Sequence, residues 1–214
     1  MSLGESSGIE QSPLLELGRL LAHLCDITQK PPTRFTPKGR KMLPKLSFVL
    51  GGAASGKSRF AENLLISSGL SCVYLATSRT FDDEMSAKIS LHRSRRCVGW
   101  LNLEADLDPA PALLERTPAE AVLIDCATMW LTNHMLDGND LEAARNGLMA
   151  ALDGAPCPVV IVSNEVGHGI VPENALARAF REAQGRLNVA LAEAADLVVF
   201  VTAGLPQVLK GSMP

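Results

Sequence analysis

Eight residues, GGAASGKS (51–58), follow directly on the apolar run LSFVL. They fit G-x-x-x-x-G-K-[ST] with Gly51, Gly56, Lys57 and Ser58, the spacing of a loop that wraps a phosphate. The small residues Gly52, Ala53, Ala54 and Ser55 let the backbone curl so that successive N–H groups point inward at an anion. KSRFAENLLISS (57–68) reads as a helix, and its N-terminus adds a positive dipole end to the same place. Lys57 then reaches the β- and γ-phosphates of a nucleotide, and the Ser58 hydroxyl ligates the Mg²⁺ that the nucleotide carries. A glycine-rich turn that matches by accident would lack the flanking strand and helix.

A strand, a phosphate loop and a helix in that order restrict the fold, and the remaining chain agrees. Strand-like runs recur at CVYLAT (72–77), AVLID (121–125), PVVIVSNEV (158–166) and LVVFVTAG (197–204). Helical patterns lie between them at 57–68, about 83–95, about 140–152 and 173–195. The last is the clearest, with Leu176, Phe180, Ala183, Leu187, Leu191 and Ala194 at three- and four-residue steps. Near-continuous apolar strands separated by helices predict a mostly parallel sheet covered by helices on both faces. Right-handed crossovers then bring the strand C-termini to one edge, where ligands bind. The expectation is an α/β nucleotide-binding domain of the P-loop NTPase kind spanning residues 46–214.

Residues 1–45 read differently, as an extension outside that domain. PLLELGRLLAHLCDI (13–27) has apolar residues at a helical period, among them Leu14, Leu21 and Leu24. TQKPPTRFTPKGRKMLPK (28–45) carries four prolines and six Lys/Arg with no acid, an irregular basic linker. The first fifteen residues lack a secretory n-region, and Glu5, Glu10 and Glu16 weaken an Arg-rich targeting reading. A net charge of −3 argues against general affinity for nucleic acid or anionic membrane. The apolar runs are strand-sized, so no membrane span is expected. Five cysteines (25, 72, 97, 126, 157) without a C-x-x-C pair suit a reducing cytoplasm better than a disulfide or zinc framework.

The acid expected at the end of a buried strand is Asp125 of AVLID, placed to hold Mg²⁺ directly or through water. An ordinary strand-end aspartate is the plainer reading. A GTP-binding switch would need N-K-x-D after a late strand; here SNEVG (163–167) has Asn164 but neither the Lys nor the final Asp. A motor ATPase would need an arginine finger, and Arg178, Arg181 and Arg186 lie along a helix whose polar face needs charges anyway. A small-molecule transferase is the leading class.

ATSRTFDDEMSAKISLHRSRR (76–96) is the other informative stretch. Asp82 or Asp83 starts a helix with Glu84 in its first turn, and His92 lies near its end beside Arg93, Arg95 and Arg96. Neighbouring arginines disfavour the charged imidazole, which suits a nucleophile, while themselves clamping polyphosphate. An exposed histidine without a role is the competing reading. In NEVGHGIVPEN (164–174), Asn164 and Glu165 stand at the ligand edge, open between a substrate or metal role and loop structure. Gly167 and Gly169 permit unusual backbone angles, and Pro172 is expected in the first turn of the long helix. His168, His134 and His23 read as surface residues; Trp100 and Trp130 read as packing.

Taken together, GGAASGKSRFAE, YLATSRTFDDEMSAKISLHRSRR, LIDCATMWLTN, VSNEVGHGIVPENALARAFREAQGRLN and ADLVVFVTAGLPQVLK resemble the bifunctional adenosylcobinamide kinase and adenosylcobinamide-phosphate guanylyltransferase family. The resemblance runs from about Leu46 to Lys210. It implies a cobalamin-assembly enzyme that phosphorylates the aminopropanol hydroxyl of adenosylcobinamide. It then passes GMP from GTP through a histidine to the new phosphate. ATP and GTP are the implied substrates, with Mg²⁺. The guanylylated histidine corresponds to His92. The implied nucleotide contacts are Gly51 to Ser58, Thr77, Ser78, Arg79, Arg93, Ser94, Arg95, Arg96, Glu104 and Asp125. The resemblance also implies a homo-oligomer, a trimer.

Two departures stand out. The family commonly has Arg where this chain has Ala54, and it usually begins close to the first strand. The alternatives are a P-loop small-molecule kinase in which His92 is dispensable, and a nucleotide-sensing protein without turnover.

Overall fold

The computed structural model describes residues 42–79 and 99–214. The helices expected at 13–27 and 83–95, most of the basic linker, Cys25, Cys97, His23 and the cluster His92, Arg93, Ser94, Arg95 and Arg96 lie outside the described residues.

The chain order is β1 (Leu46–Gly51), α1 (Lys57–Ser68), β2 (Ser71–Ala76), β3 (Leu101–Glu104), α2 (Ala110–Leu114), β4 (Glu120–Asp125), α3 (Ala127–Leu136), α4 (Leu141–Gly154), β5 (Val159–Asn164), α5 (Ala175–Ala194), β6 (Leu197–Thr202) and β7 (Leu205–Lys210). One seven-stranded sheet runs β3-β2-β4-β5-β1-β6-β7. All pairings are parallel except β6 with β7.

Alternation along the central strands feeds two cores, which is why these strands read as unbroken apolar runs. Phe48, Val122, Ile124, Val159 and Ile161 face one side, where they meet Trp130 and Leu131 of α3, Leu148 and Leu152 of α4, and Leu187 and Leu191 of α5. Val49, Leu123, Val160, Val162 and Val199 face the other, against Ala61, Leu64 and Leu65 of α1. Helices therefore cover both faces of a mostly parallel sheet, as the strand pattern requires.

Four elements carry no clear sequence signal. β3 (LNLE) is short and largely exposed, without the apolar run that marks the central strands. α2 spans only five residues. α3 (ATMWLTNHML) is buried nearly all round and mixes polar with apolar residues, so no amphipathic period marks it. β7 is exposed along its whole length and owes its existence to pairing with β6. The strand expected to run to 204 ends at Thr202. Ala203 and Gly204 both have positive φ, 52° and 78°, the conformation of a tight hairpin turn.

Helix starts also differ in detail. α5 begins at Ala175, capped by Asn174 Oδ1 accepting from the Ala177 N–H at 3.0 Å. Pro172 therefore precedes the cap and is not in the first turn. Leu176, expected on the apolar face, is exposed, because that face meets the core only further along the helix.

Candidate active site

The end of β1 turns into α1 through residues 52–56. Two residues there take left-handed backbone angles, Ala54 at φ 53° and Gly56 at φ 92°. Gly51 is closely hemmed in: a Cβ there would lie 2.5 Å from the Val201 carbonyl oxygen and 2.6 Å from Ser55 Oγ. The hairpin turn abuts the same loop, since the Gly204 N–H donates to the Ser55 carbonyl at 2.8 Å. A Cβ on Gly56 would come within 3.1 Å of Gly204 Cα. The loop is thus shaped by β6 and its turn as well as by its own glycines. Ala53 and Ala54 are exposed.

Lys57 opens α1 and is only 9% exposed, its Nζ donating to the Gly52 carbonyl at 3.1 Å. Burial holds its pKa below the ordinary lysine value, against the raising influence of Cys126 and Asp125. Ser58 follows in the first turn.

Asp125 ends β4 and accepts a hydrogen bond from Tyr74 Oη at 3.2 Å. Strand alternation puts it on the α1 side of the sheet, with Leu123 beneath it. Burial, then the Asp125 charge, pushes the thiol of Cys126 up to about 11, so it is no nucleophile at neutral pH.

Thr77, Ser78 and Arg79 follow β2. Thr77 is buried and ties β2 to β4. Its Oγ1 donates to the Cys126 carbonyl at 2.7 Å and accepts from the Cys126 N–H at 2.8 Å. Its backbone N–H donates to the Asp125 carbonyl, and its own carbonyl accepts from Asn133 Nδ2 at 2.7 Å. Arg79 donates to Asp137 through Nη1 and Nη2 and to Asp106 through Nε. These bonds raise the pKa of Arg79 and hold both carboxyls below the usual carboxylate range. Glu104 ends β3, the outermost strand on that side.

Gly51, Asp125, Thr77 to Arg79 and Glu104 therefore share one sheet edge, in the strand order β1, β4, β2, β3, with β5 between the first two. Asn164 ends β5, opposite Gly51. Sequence reasoning missed the residues that hold this edge: Tyr74, Asp106, Asn133 and Asp137, whose partners come from distant elements. It also misjudged His134. That residue is 8% exposed, not on the surface. It packs edge-on to Trp130 at 4.5 Å, with Nε2 on the Leu107 carbonyl at 3.1 Å and Nδ1 accepting from Asn139 at 3.1 Å. Its helix is buried nearly all round, so a polar residue there had to find partners. His168 is exposed and Trp130 is core, as expected.

A phosphate loop at the first strand, a buried lysine and a strand-end aspartate two strands away define a nucleotide-dependent enzyme of the phosphate-loop α/β class. Residues 47–209 match the family model described as cobinamide kinase / cobinamide phosphate guanyltransferase. The chain belongs to that family and is a transferase of cobalamin biosynthesis. It is 45% identical over 168 residues to the bifunctional adenosylcobalamin biosynthesis protein CobP of Pseudomonas aeruginosa, covering 76% of this chain and 96% of that one. It is 43% identical over 174 residues to CobU of Escherichia coli, covering 73% and 95%. Among solved structures, the flagellar accessory protein FlaH of Methanocaldococcus jannaschii overlaps 82% of each chain at 12% identity and a TM-score of 0.45.

Proposed function

We propose that both reactions of the family run at this one sheet edge, each served by the same phosphate loop. In the kinase step the aminopropanol hydroxyl of adenosylcobinamide attacks the γ-phosphorus of a nucleoside triphosphate, ATP or GTP. The new O–P bond forms as the bond to the β-phosphate oxygen breaks, and the hydroxyl proton is released. Lys57 and the loop N–H groups offset the charge gathering on the departing diphosphate. In the transfer step a ring nitrogen of His92 attacks the α-phosphorus of GTP and pyrophosphate leaves. The phosphate of adenosylcobinamide phosphate then displaces His92, giving adenosylcobinamide-GDP. Arg93, Arg95 and Arg96 are assigned to the polyphosphate, with Ser94 among them. Ser78 and Glu104 are assigned to the rest of the nucleotide, which would extend along the edge from the loop. Thr77 and Arg79 act there by holding the edge in shape.

The oxygen donors suit a nucleotide-borne Mg²⁺. Ser58 and Asp125 would hold the ion from α1 and β4, on the same side of the sheet. When bound it would neutralise phosphate charge. The observation that carries the reading is Lys57, buried against the phosphate loop on the sheet face shared with Asp125.

No described helix is long and apolar enough to cross a membrane. We place the enzyme in the cytoplasm as a homo-oligomer, with residues 46–214 as the catalytic body and 1–45 as an extension.

The test is covalent labelling with α-labelled GTP and Mg²⁺, followed by denaturation, for wild type and His92→Asn. Acid-labile, alkali-stable label on wild type and none on the variant is expected. No label on wild-type protein that binds GTP would remove the guanylyl step and leave a kinase alone.

A further inference from the structure

Asn164 has an unusual setting at the ligand edge. It ends β5, the strand between the phosphate-loop strand and the Asp125 strand, and it pairs with Gly51 in register. Val160 and Val162 of the same strand face α1, so alternation turns the Asn164 side chain toward α1 as well. That is also the side of Asp125. Asn164 therefore sits on the strand between the two, level with Gly51 and two residues further along the sheet than Asp125, which pairs with Val162.

Its backbone is fixed from both directions. The N–H donates to Thr128 Oγ1 at 2.8 Å, and the carbonyl accepts from Asn188 Nδ2 at 3.1 Å. Both partners belong to a buried polar network. Ser163 Oγ donates to Asn188 Oδ1 at 2.8 Å, and Gln184 Nε2 donates to both Ser163 Oγ and Asn188 Oδ1 at 2.9 Å. Ser163 and Gln184 are fully buried, and Thr128 and Asn188 each 7% exposed. Of its side-chain oxygens only Gln184 Oε1 lacks a partner among the described residues, and breaking any of these bonds leaves a further buried group unpaired, so the network favours one geometry.

At the end of this rigid support the side chain is incomplete. Asn164 Oδ1 is buried and has no hydrogen-bond partner among the described residues. A buried acceptor without a donor destabilises a protein, so its persistence at the catalytic edge points to a donor that arrives with the ligand. Phosphate oxygens are acceptors and cannot serve. Metal-bound water is a strong donor, and a nucleotide's Mg²⁺ keeps several waters.

We propose that Asn164 is a positioning residue whose amide oxygen accepts a hydrogen bond from a water on the nucleotide's Mg²⁺, coupling metal to nucleotide binding. This rests on the Mg²⁺ reading given above for Ser58 and Asp125. The ion is then held from three elements, α1, β4 and β5, and the acceptor on β5 is neutral. A neutral acceptor orients the water without adding charge that would compete for the phosphates.

The test is calorimetric binding of α,β-methylene GTP, which His92 cannot cleave, to the full chain with Mg²⁺ or with EDTA. Wild type is expected to bind more tightly with Mg²⁺. Asn164→Ala is expected to lose about tenfold of that gain, the effect of one such hydrogen bond, with affinity in EDTA unchanged. Its melting temperature without ligand should stay level or rise, because an unpaired buried oxygen is removed. Asn164→Asp, which retains an acceptor but adds the charge, should keep the Mg²⁺ gain while binding more weakly than wild type in EDTA. An unchanged Mg²⁺ gain in Asn164→Ala overturns the proposal, as does equal weakening with and without Mg²⁺ together with a lower melting temperature, the mark of a structural role. No Mg²⁺ gain in wild type would instead overturn the metal reading beneath it.

Discussion

Arg79 meets Asp137 in a two-pronged contact, Nη1 and Nη2 each 2.8 Å from a carboxylate oxygen. The chain leaving β2 is thereby fastened to the C-terminal end of α3, with Asp106 as a second anchor. Both carboxyls titrate below the usual range because of Arg79. Stability from depressed carboxyl pKa values is present above the unfolded value and is lost as pH falls through the folded one. All three side chains are partly exposed, so salt screens the cluster. Asp137→Asn should melt lower than wild type at pH 7. The gap should close below about pH 4 and shrink in about 1 M NaCl. Thermal melts across those conditions check this; a gap indifferent to both would mean the fork is not electrostatic.

Lys57→Met should lower both half-reactions by about 10²-fold or more, since it removes a preorganised charge from the phosphate site. The fold should persist, because a desolvated ammonium gives way to an apolar chain of similar length. The pKa of Lys57 lies below that of a free lysine, so in the empty protein it loses its proton earlier as pH rises. A bound polyphosphate favours the charged form and raises that pKa. Nucleotide binding at alkaline pH should therefore take up a proton. Titration calorimetry in two buffers of different ionisation enthalpy measures the uptake, and it should vanish in the variant.

Gly51→Ala places a methyl 2.5 Å from the Val201 carbonyl, a backbone atom that cannot swing aside. The expected loss is about 1–3 kcal/mol, as for other overpacked sites. Urea unfolding should show a lower midpoint at unchanged slope. Gly52→Ala is the control, since a Cβ there meets nothing within 4 Å.

Ala54 is exposed and already left-handed at φ 53°. Ala54→Arg, which adds a cation to the loop, should leave stability nearly unchanged. It should tighten triphosphate binding by about fivefold at low salt, with the gain fading as salt rises. Equilibrium binding at two ionic strengths decides it; no gain at low salt would mean that position 54 faces away from the phosphates.

The legible parts of the molecule were those whose signal is local. The phosphate loop, the buried strands and Asp125 each announce themselves within a few residues. Glycines, a lysine and a hydroxyl at fixed spacing can be read without knowing what lies opposite. What stayed hidden depends on contacts between distant segments. β7 exists by pairing with β6, and α3 lacks a polar stripe. His134 looks like a surface residue until α3 is seen to be buried. Nothing near Arg79 in the sequence announces its partners Asp106 and Asp137, which lie 27 and 58 residues away. The network under Asn164 likewise joins residues from three elements, and helical spacing connects only Gln184 with Asn188.

The interposed strand β5 has one more consequence. Neighbouring strands are spaced by their hydrogen bonds at about 4.8 Å, so the strands that carry the phosphate loop and Asp125 stand about 10 Å apart across the sheet. That width is set by the backbone ladder and owes nothing to side-chain size or loop length. Loops around the site can lengthen, and side chains on the two cores can drift, without altering it. The sheet thus acts as a ruler, and substitutions can tune what binds across the gap but not how wide it is.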